Sequence, residues 1–189
     1  MTTSLSETLD DGLAARLIGI ELPDVALPST SGEDIRIREY STGRWLLFVY
    51  PRTGVPGEAE PAGWDEIPGA KGCTAEACSF RDHLAGLLEA GAEKVAGLSV
   101  QSTTYQQEAV QRLHLPYPLL SDQNRDLSEA IHLPSFEADG VTLLYRITLV
   151  IDGTMITHVF YPVQPAAEHA EQVRDWLQSN VPSERRRSD

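Results

Sequence analysis

Cysteine and positive charge are both scarce in this chain. Its 189 residues include two cysteines, and 15 basic against 28 acidic residues give a formal net charge of −13. Two cysteines are too few for a disulfide scaffold or for a zinc site built on thiolates alone, and the five histidines show no ligand spacing. The acidic balance argues against phosphate backbones and anionic membrane surfaces as partners. We therefore expect neither nucleic-acid nor membrane binding.

Long apolar runs and targeting signals are also missing. No run approaches the roughly 18 apolar residues of a membrane span. Residues 1–17 carry Glu7, Asp10 and Asp11, whereas a signal peptide has a basic start and an apolar centre. These features predict a cytoplasmic protein. In such a reducing compartment, a cysteine pair is more often catalytic than structural.

The length and the 41% hydrophobic content predict one well-cored domain with extensions. We expect an N-terminal extension over 1–19, the domain over 20–180 and a disordered tail over 181–189. A turn-rich stretch at 29–32 predicts a β-hairpin near the start of the domain. Apolar runs at 45–50 and 95–100 predict buried strands. The helix between them makes a right-handed parallel unit, typical of an α/β fold.

Further elements are predicted along the second half of the chain. Ser102 or Thr103 should begin a helix that ends at Leu113, and a short helix should cover roughly 125–131. The Asp152-Gly153 pair predicts a hairpin between strands over 141–151 and 154–160, with Arg146 inside the first strand. An amphipathic pattern predicts a closing helix over 166–177.

Both cysteines lie in the stretch 69–82, where a glycine-rich loop leads into a helix predicted over 74–88. Cys73, Ala77 and Phe80 recur at spacings of four and three residues, which predicts an inward face with Cys73 at the helix start. Unpaired N–H groups and the helix macrodipole favour a thiolate there. We therefore expect a lowered Cys73 pKa and a reactive, nucleophilic sulfur.

Cys78 follows Cys73 by five residues. On an intact helix this spacing puts the two Cα atoms roughly 8 to 9 Å apart, which is too far for a disulfide. If the two cysteines react with each other, the first helical turns must unfold, at a cost of a few kcal/mol at most.

Several motifs, taken in their order along the chain, resemble those of one known family, the peroxiredoxins. The resemblance is greatest to the peroxiredoxin Q group, also called bacterioferritin comigratory proteins. The resemblance covers roughly residues 20–178. It implies a thioredoxin-like fold, in which helices flank a central mixed β-sheet. The matching motifs are Tyr50-Pro51, Gly72-Cys73-Thr74, Ala77-Cys78, Phe80-Arg81-Asp82, Pro118-Leu119-Leu120-Ser121-Asp122 and Arg146-Ile147-Thr148-Leu149-Val150-Ile151-Asp152-Gly153.

The resemblance also implies a function, that of a thiol peroxidase for hydrogen peroxide and organic hydroperoxides. Cys73 matches the peroxidatic cysteine, Cys78 the intramolecular resolving cysteine, and Arg146 the arginine that holds the thiolate and the peroxide. A guanidinium in an apolar strand fits this role, because burying it is costly unless it meets an anion. Such enzymes are usually recycled by thioredoxin or a similar dithiol and need no metal, haem or flavin. We expect a monomer or a weak homodimer.

The active-site loop departs from the family pattern, which reads Pro, three residues, Thr, two residues, Cys. Here Ala70 stands three residues before Cys73, and Pro51 precedes Cys73 by 22 positions. About fifteen residues are therefore inserted, within 55–71. Prolines and glycines around Trp64 predict that this insert is an ordered surface loop beside the site.

The missing threonine leaves the source of an active-site hydroxyl open. Thr53 is the obvious substitute if the fold brings both ends of the insert together. Thr74 is a second alternative, and the third is a site without such a hydroxyl.

Two other functions remain as alternatives. A disulfide oxidoreductase on the same fold is disfavoured, because that chemistry normally uses the C-x-x-C spacing. A redox sensor or binding protein would form a Cys73–Cys78 disulfide that switches the 52–71 loop without efficient turnover. Catalytic consumption of peroxide distinguishes the sensor from the peroxidase.

Overall fold

The computed structural model describes residues 12–67 and 69–181. The strands within these residues are β1 (Ala26–Pro28), β2 (Asp34–Arg36), β3 (Arg44–Val49), β4 (Lys94–Ser99), β5 (Leu119–Ser121), β6 (Ser135–Ala138), β7 (Val141–Leu144), β8 (Ile147–Asp152) and β9 (Met155–Phe160). The α-helices are α1 (Leu13–Leu17), α2 (Cys73–Asp82), α3 (Leu84–Glu89), α4 (Thr103–Leu113), α5 (Asp126–Ala130) and α6 (His169–Ser179).

Five of these strands form the central sheet, in the order β5-β4-β3-β8-β9. β3, β4 and β5 run parallel, whereas β8 and β9 are antiparallel to their neighbours. This mixed sheet with flanking helices is the thioredoxin-like arrangement that the sequence predicts.

The middle strand β3 explains why the sheet is covered on both faces. Every residue from Trp45 to Tyr50 is at most 1% exposed, and alternate side chains enter two separate apolar clusters. Helices α2, α3, α4 and α6 contribute to one cluster, while α1, α5 and the β1–β2 hairpin contribute to the other. A continuous apolar run is what a strand with two buried faces requires.

Several predicted elements are confirmed. β1 and β2 form the expected antiparallel hairpin, and β8 and β9 pair across the Asp152-Gly153 turn. Ser102 caps α4, because its side chain accepts a hydrogen bond from the backbone N–H of Tyr105 at 3.3 Å.

The predicted strand over 141–151 is wrong, because it consists of two strands. β7 turns back onto β6 in a separate antiparallel hairpin, and β8 begins only at Ile147. The β6–β7 turn consists of Asp139 and Gly140, at φ 52° and 76°, as in a two-residue hairpin turn with two positive φ angles. Arg146 therefore lies in the break between β7 and β8, and not within a strand.

The helix predicted over 74–88 begins one residue earlier and is interrupted at His83, which separates α2 from α3. At the N-terminus, residues 12–19 are the described part of the predicted extension. They contain α1, whose Leu17 is buried in the core. Residues 1–11 of the predicted extension, and the predicted disordered tail apart from Val181, lie outside the described residues. Within 12–67 and 69–181, no helix has both the length and the apolar character that crossing a bilayer needs.

Candidate active site

Cys73 is the first residue of α2, at the point where the loop from the insert enters the helix. The preceding Gly72 has a φ of 99°, and a Cβ on it would come within 2.9 Å of the Ala166 Cβ. Glycine therefore satisfies both the backbone angle and the close approach. The Cys73 side chain points inward and is only 4% exposed, as the helical spacing predicts.

Three groups surround the Cys73 sulfur. The thiol donates to the Ala70 carbonyl oxygen at 3.5 Å, and the Arg146 Nη2 donates to Sγ at 3.3 Å. The backbone N–H of Arg52 also acts on the sulfur, in the direction that lowers the Cys73 pKa. The structure therefore brings Cys73 and Arg146 together.

Arg146 is held in place by partners other than the sulfur. It is 3% exposed, and its Nη2 also donates to the carbonyl oxygens of Gly69 at 3.2 Å and Lys71 at 2.9 Å. Its Nη1 forms a short ion pair with the Glu76 carboxylate, which is fully buried. The guanidinium thus fixes the loop before Cys73 and the first turn of α2 at the same time.

Glu76 was not identified from the sequence, although it lies at the centre of this arrangement. One signal was available, because Glu76 follows Cys73 by three residues and so shares the inward face of the helix. A carboxylate on an otherwise apolar helix face needs a cation. Arg146 provides one from 70 residues away in the sequence.

Burial dominates the electrostatics of Cys73. Desolvation raises the pKa of the Cys73 thiol, and the Glu76 carboxylate raises it further. Arg146 and the Arg52 N–H lower it, but the net effect is a raised pKa. The lowered Cys73 pKa predicted from the helix start is therefore wrong for this arrangement. Desolvation also raises the Glu76 pKa, to about 7, against the opposing effect of Arg146.

Cys78 lies about 1.4 turns further along α2. Both cysteines are free, and both line a cavity of about 510 Å³ whose opposite wall comes from the insert. Helix α2 is intact between them. The helix is held by stacking of the Phe80 ring on the Phe48 ring, with centroids 4.5 Å apart. The Tyr117 hydroxyl also donates a hydrogen bond to the Ala77 carbonyl oxygen at 2.6 Å.

Over its described residues, 55–67 and 69–71, the insert contains a short 3-10 turn at Trp64–Glu66. Trp64 is 4% exposed and forms a small apolar cluster that includes Ala70, Ala138 and Leu143. It anchors the insert to the β6–β7 hairpin and also lines the cavity at Cys73. Trp64 therefore holds the insert in place and also shapes the cavity at Cys73.

A second anchor joins the insert to helix α4. The Arg52 guanidinium donates to the Tyr105 hydroxyl at 3.3 Å, and that hydroxyl donates to the Glu58 carboxylate at 3.2 Å. Arg112 donates to the Gly54 carbonyl oxygen at 2.9 Å. Arg52 itself is half-buried at the cavity wall.

Thr53 has a different partner from the one that the sequence suggests. It is buried, and its hydroxyl donates to Gln101 Oε1 at 3.2 Å. The Thr53 backbone N–H and carbonyl also bond to the Gln101 amide, at 2.9 and 3.1 Å. Since a hydroxyl has one proton to donate, that proton is not directed at Cys73. The carbonyl oxygen of Ala70 accepts from the thiol instead.

Among the residues that the structure describes, no group of three or more His, Cys, Asp or Glu side chains could hold a metal ion. The groups described around Cys73 are its thiol, the Arg146 guanidinium, the Glu76 carboxylate and backbone groups. Such a set can stabilise an anionic sulfur and the negative charge that develops on a neighbouring oxygen.

Comparison with known sequences reveals related proteins. The family model described as Redoxin matches residues 18–174. Peroxiredoxin Bcp of Escherichia coli strain K12 is 26% identical over 163 residues, which cover 84% of this chain and 94% of that protein. Chloroplastic peroxiredoxin Q of Gentiana triflora is 29% identical over 158 residues, which cover 83% of this chain and 64% of that protein.

Solved structures give the same result for the fold. Peroxidoxin BcpB from Mycobacterium tuberculosis superposes with a TM-score of 0.69 at 26% identity, over 88% of this chain and 98% of that one. A Xanthomonas campestris peroxiredoxin Q structure has a TM-score of 0.69 at 22% identity, over 86% and 98% of the two chains, and bears on the fold alone.

Proposed function

Because the chain belongs to the redoxin family, we propose that it acts as a thiol-dependent peroxidase of the peroxiredoxin Q type, with Cys73 as the peroxidatic residue. The observation that carries this proposal is the 3.3 Å contact between Arg146 Nη2 and Cys73 Sγ beside a cavity. It supports the roles that the sequence suggests for these two residues.

The first step is attack of the Cys73 thiolate on the terminal oxygen of a hydroperoxide. An S–O bond forms and the O–O bond breaks, which leaves a cysteine sulfenic acid and an alkoxide or hydroxide that takes up a proton. The leaving group departs as an alcohol or as water. Arg146 and the Arg52 N–H donate towards the reacting atoms, and donors of this kind stabilise charge that develops in the transition state.

Glu76 links this step to proton balance in the site. With a pKa near 7, the carboxyl group is partly protonated at neutral pH. When Glu76 is protonated, its negative charge no longer raises the Cys73 pKa, and the Arg146 charge is available to the sulfur. Ionisation of Cys73 and protonation of Glu76 therefore favour each other.

In the second step, the Cys78 thiol attacks the sulfenic sulfur, a disulfide forms and water leaves. Because α2 is intact between the two cysteines, its first turns must open first. The packing of Phe80 and the bond from Tyr117 are the contacts that such opening has to weaken. The reduced and disulfide forms should therefore differ in local structure.

An external dithiol then restores both thiols, and a thioredoxin-like protein fits this role. We propose that the protein is cytoplasmic, because its thiols need a reducing compartment. The domain 20–180 carries the activity and acts as a monomer or weak homodimer. The net charge of −13 supports the absence of nucleic-acid and membrane partners. Thr53 stays a proposed site residue, although its contact with Gln101 argues for a structural role.

Matched serine variants test these roles. Cys73→Ser should abolish reaction with peroxide, whereas Cys78→Ser should still reduce one equivalent rapidly and then stop. Stopped-flow tryptophan fluorescence follows the reaction, because Trp64 lines the Cys73 cavity, and a thiol count afterwards identifies the product. Equal loss of the first step in both variants would contradict the assignment. Continued consumption with a dithiol reductant distinguishes turnover from a switch.

A further inference from the structure

Tyr117 holds the middle of helix α2 from outside the helix. Its hydroxyl donates to the Ala77 carbonyl oxygen at 2.6 Å, and the residue is 6% exposed. Its ring meets the Phe48 ring edge-on, with centroids 5.6 Å apart. Within an α-helix the same carbonyl accepts from the N–H four residues later, here that of Arg81. The Tyr117 bond is therefore an addition to the helix and not part of what forms it.

The bonded carbonyl belongs to the peptide unit that joins Ala77 to Cys78, so Tyr117 acts on the backbone of the second cysteine. On an intact helix, five residues separate the two cysteines by about 140° around the axis, and Cys73 is buried whereas Cys78 is half-buried. A disulfide needs the two Cα atoms within about 4.4–6.8 Å of each other. The peptide units between the cysteines therefore have to turn, and the last of them is the one that Tyr117 holds.

Separate anchors hold the two ends of α2. Near the C-terminal end, the Arg81 guanidinium donates to the Leu113 carbonyl oxygen, at the end of α4, at 2.6 Å. The first turn is held by the buried ion pair of Glu76 with Arg146. The Tyr117 bond lies between these two anchors, at the boundary between the turns that have to open and the part of the helix that packs on α4.

Building on the proposed peroxidase function, we propose that Tyr117 is a positioning residue for the second step, whose hydroxyl holds Cys78 away from the Cys73 sulfenic acid and so sets the rate of disulfide formation. While the bond is intact, the sulfenic acid persists. A second hydroperoxide can then transfer its terminal oxygen to the sulfenic sulfur. An S–O bond forms, the O–O bond breaks, and a sulfinic acid remains as alcohol or water leaves. Tyr117 thus also determines how much peroxide Cys73 tolerates.

Tyr117→Phe tests the proposal, because it removes the hydroxyl and keeps the buried ring. The Ala77 carbonyl keeps its helical partner, so no buried polar group is left unpaired. The net contribution of one such hydrogen bond corresponds to about two- to tenfold in an equilibrium constant, and disulfide formation should speed up by about that factor. In stopped-flow fluorescence the first phase, second order in peroxide, should be unchanged. The second phase, independent of peroxide, should be faster, a split that a merely structural role would not produce.

Tyr40→Phe is the matched control. The Tyr40 hydroxyl also donates to a backbone carbonyl oxygen, that of Val95, at 3.1 Å, but its ring packs on the apolar cluster across the sheet from α2. Both phases should keep their wild-type rates in this variant. The peroxide concentration that converts half of Cys73 to sulfinic acid, measured by mass spectrometry, should rise only in Tyr117→Phe, by the same factor as the second phase. Equal second phases in the two variants would refute the assignment.

The two proposals fail in different ways. If peroxide produces no first phase, the proposed function is wrong, and the step that Tyr117 would control falls with it. If the first phase occurs but the second is as slow in Tyr117→Phe as in the wild type, only the Tyr117 assignment fails. Should Tyr117→Phe not fold, hydrogen exchange of the wild-type protein decides. The Arg81 N–H should lose protection in the disulfide form, because its Ala77 partner turns away, and unchanged protection would overturn the proposal.

Discussion

The buried pair of Arg146 and Glu76 leads to a prediction about stability. The two side chains of the pair are 2% and 0% exposed. Arg146→Gln leaves the Glu76 carboxylate buried without its cation. Removing one partner of a buried ion pair typically costs about 3–5 kcal/mol, and for a chain of this length each kcal/mol lowers Tm by about 2–4 °C. We therefore expect Tm to fall by roughly 6–20 °C at pH 8.

The sign of the pH dependence follows from Glu76. Its folded-state pKa is raised to about 7 by burial, and Arg146 is what limits that rise. A carboxyl group with a raised folded-state pKa contributes stability at low pH that is lost as the pH rises through that pKa. Without Arg146 the Glu76 pKa rises further. The destabilisation should therefore be largest at pH 8 and smaller at pH 5.5, where Glu76 is protonated with or without Arg146.

The assay is urea unfolding and calorimetry at both pH values, with two comparison proteins. Arg174→Gln is the matched control, because Arg174 pairs with the exposed Glu171 and Asp175 on the surface, and it should change stability little. The double variant Glu76→Gln/Arg146→Gln should regain most of the loss, because no uncompensated charge remains buried. If Arg146→Gln is as stable as Arg174→Gln at pH 8, or if the double variant regains nothing, the reasoning is refuted.

Two further predictions concern the sulfur and the insert. In a Cys78→Ser background, Glu76→Gln should lower the Cys73 pKa, because the carboxylate raises it. Alkylation of Cys73 by iodoacetamide would then begin at lower pH. An unchanged pH dependence of alkylation would contradict this effect of Glu76 on Cys73. Trp64→Ala removes a buried anchor and should lower the free energy of local opening of residues 55–67 by about 3 kcal/mol. Hydrogen exchange should speed up there and not in β3, and a uniform change along the chain would argue against a local anchor.

The elements that the sequence predicts well are those specified by local patterns. An apolar run places β3, a Ser102 cap starts α4, and Asp152-Gly153 forms a hairpin turn. The Asp139-Gly140 turn carries the same signal, but the apolar pattern after it predicts one long strand over 141–151 in place of β7 and β8. The position of Cys73 at the start of a helix is also local, since it depends on Gly72 and on helical spacing.

Residue types and motif order in the sequence thus determined the fold class and pointed to the candidate cysteine and arginine. Only the tertiary structure decided the partners. Glu76 pairs with Arg146, 70 residues away in the sequence, and Thr53 bonds to Gln101, 48 residues away. No local sequence pattern extends over such separations. The direction of the Cys73 pKa was also a tertiary property. Helix position favours a thiolate, but the burial that outweighs it is produced by side chains from several elements that pack around the sulfur.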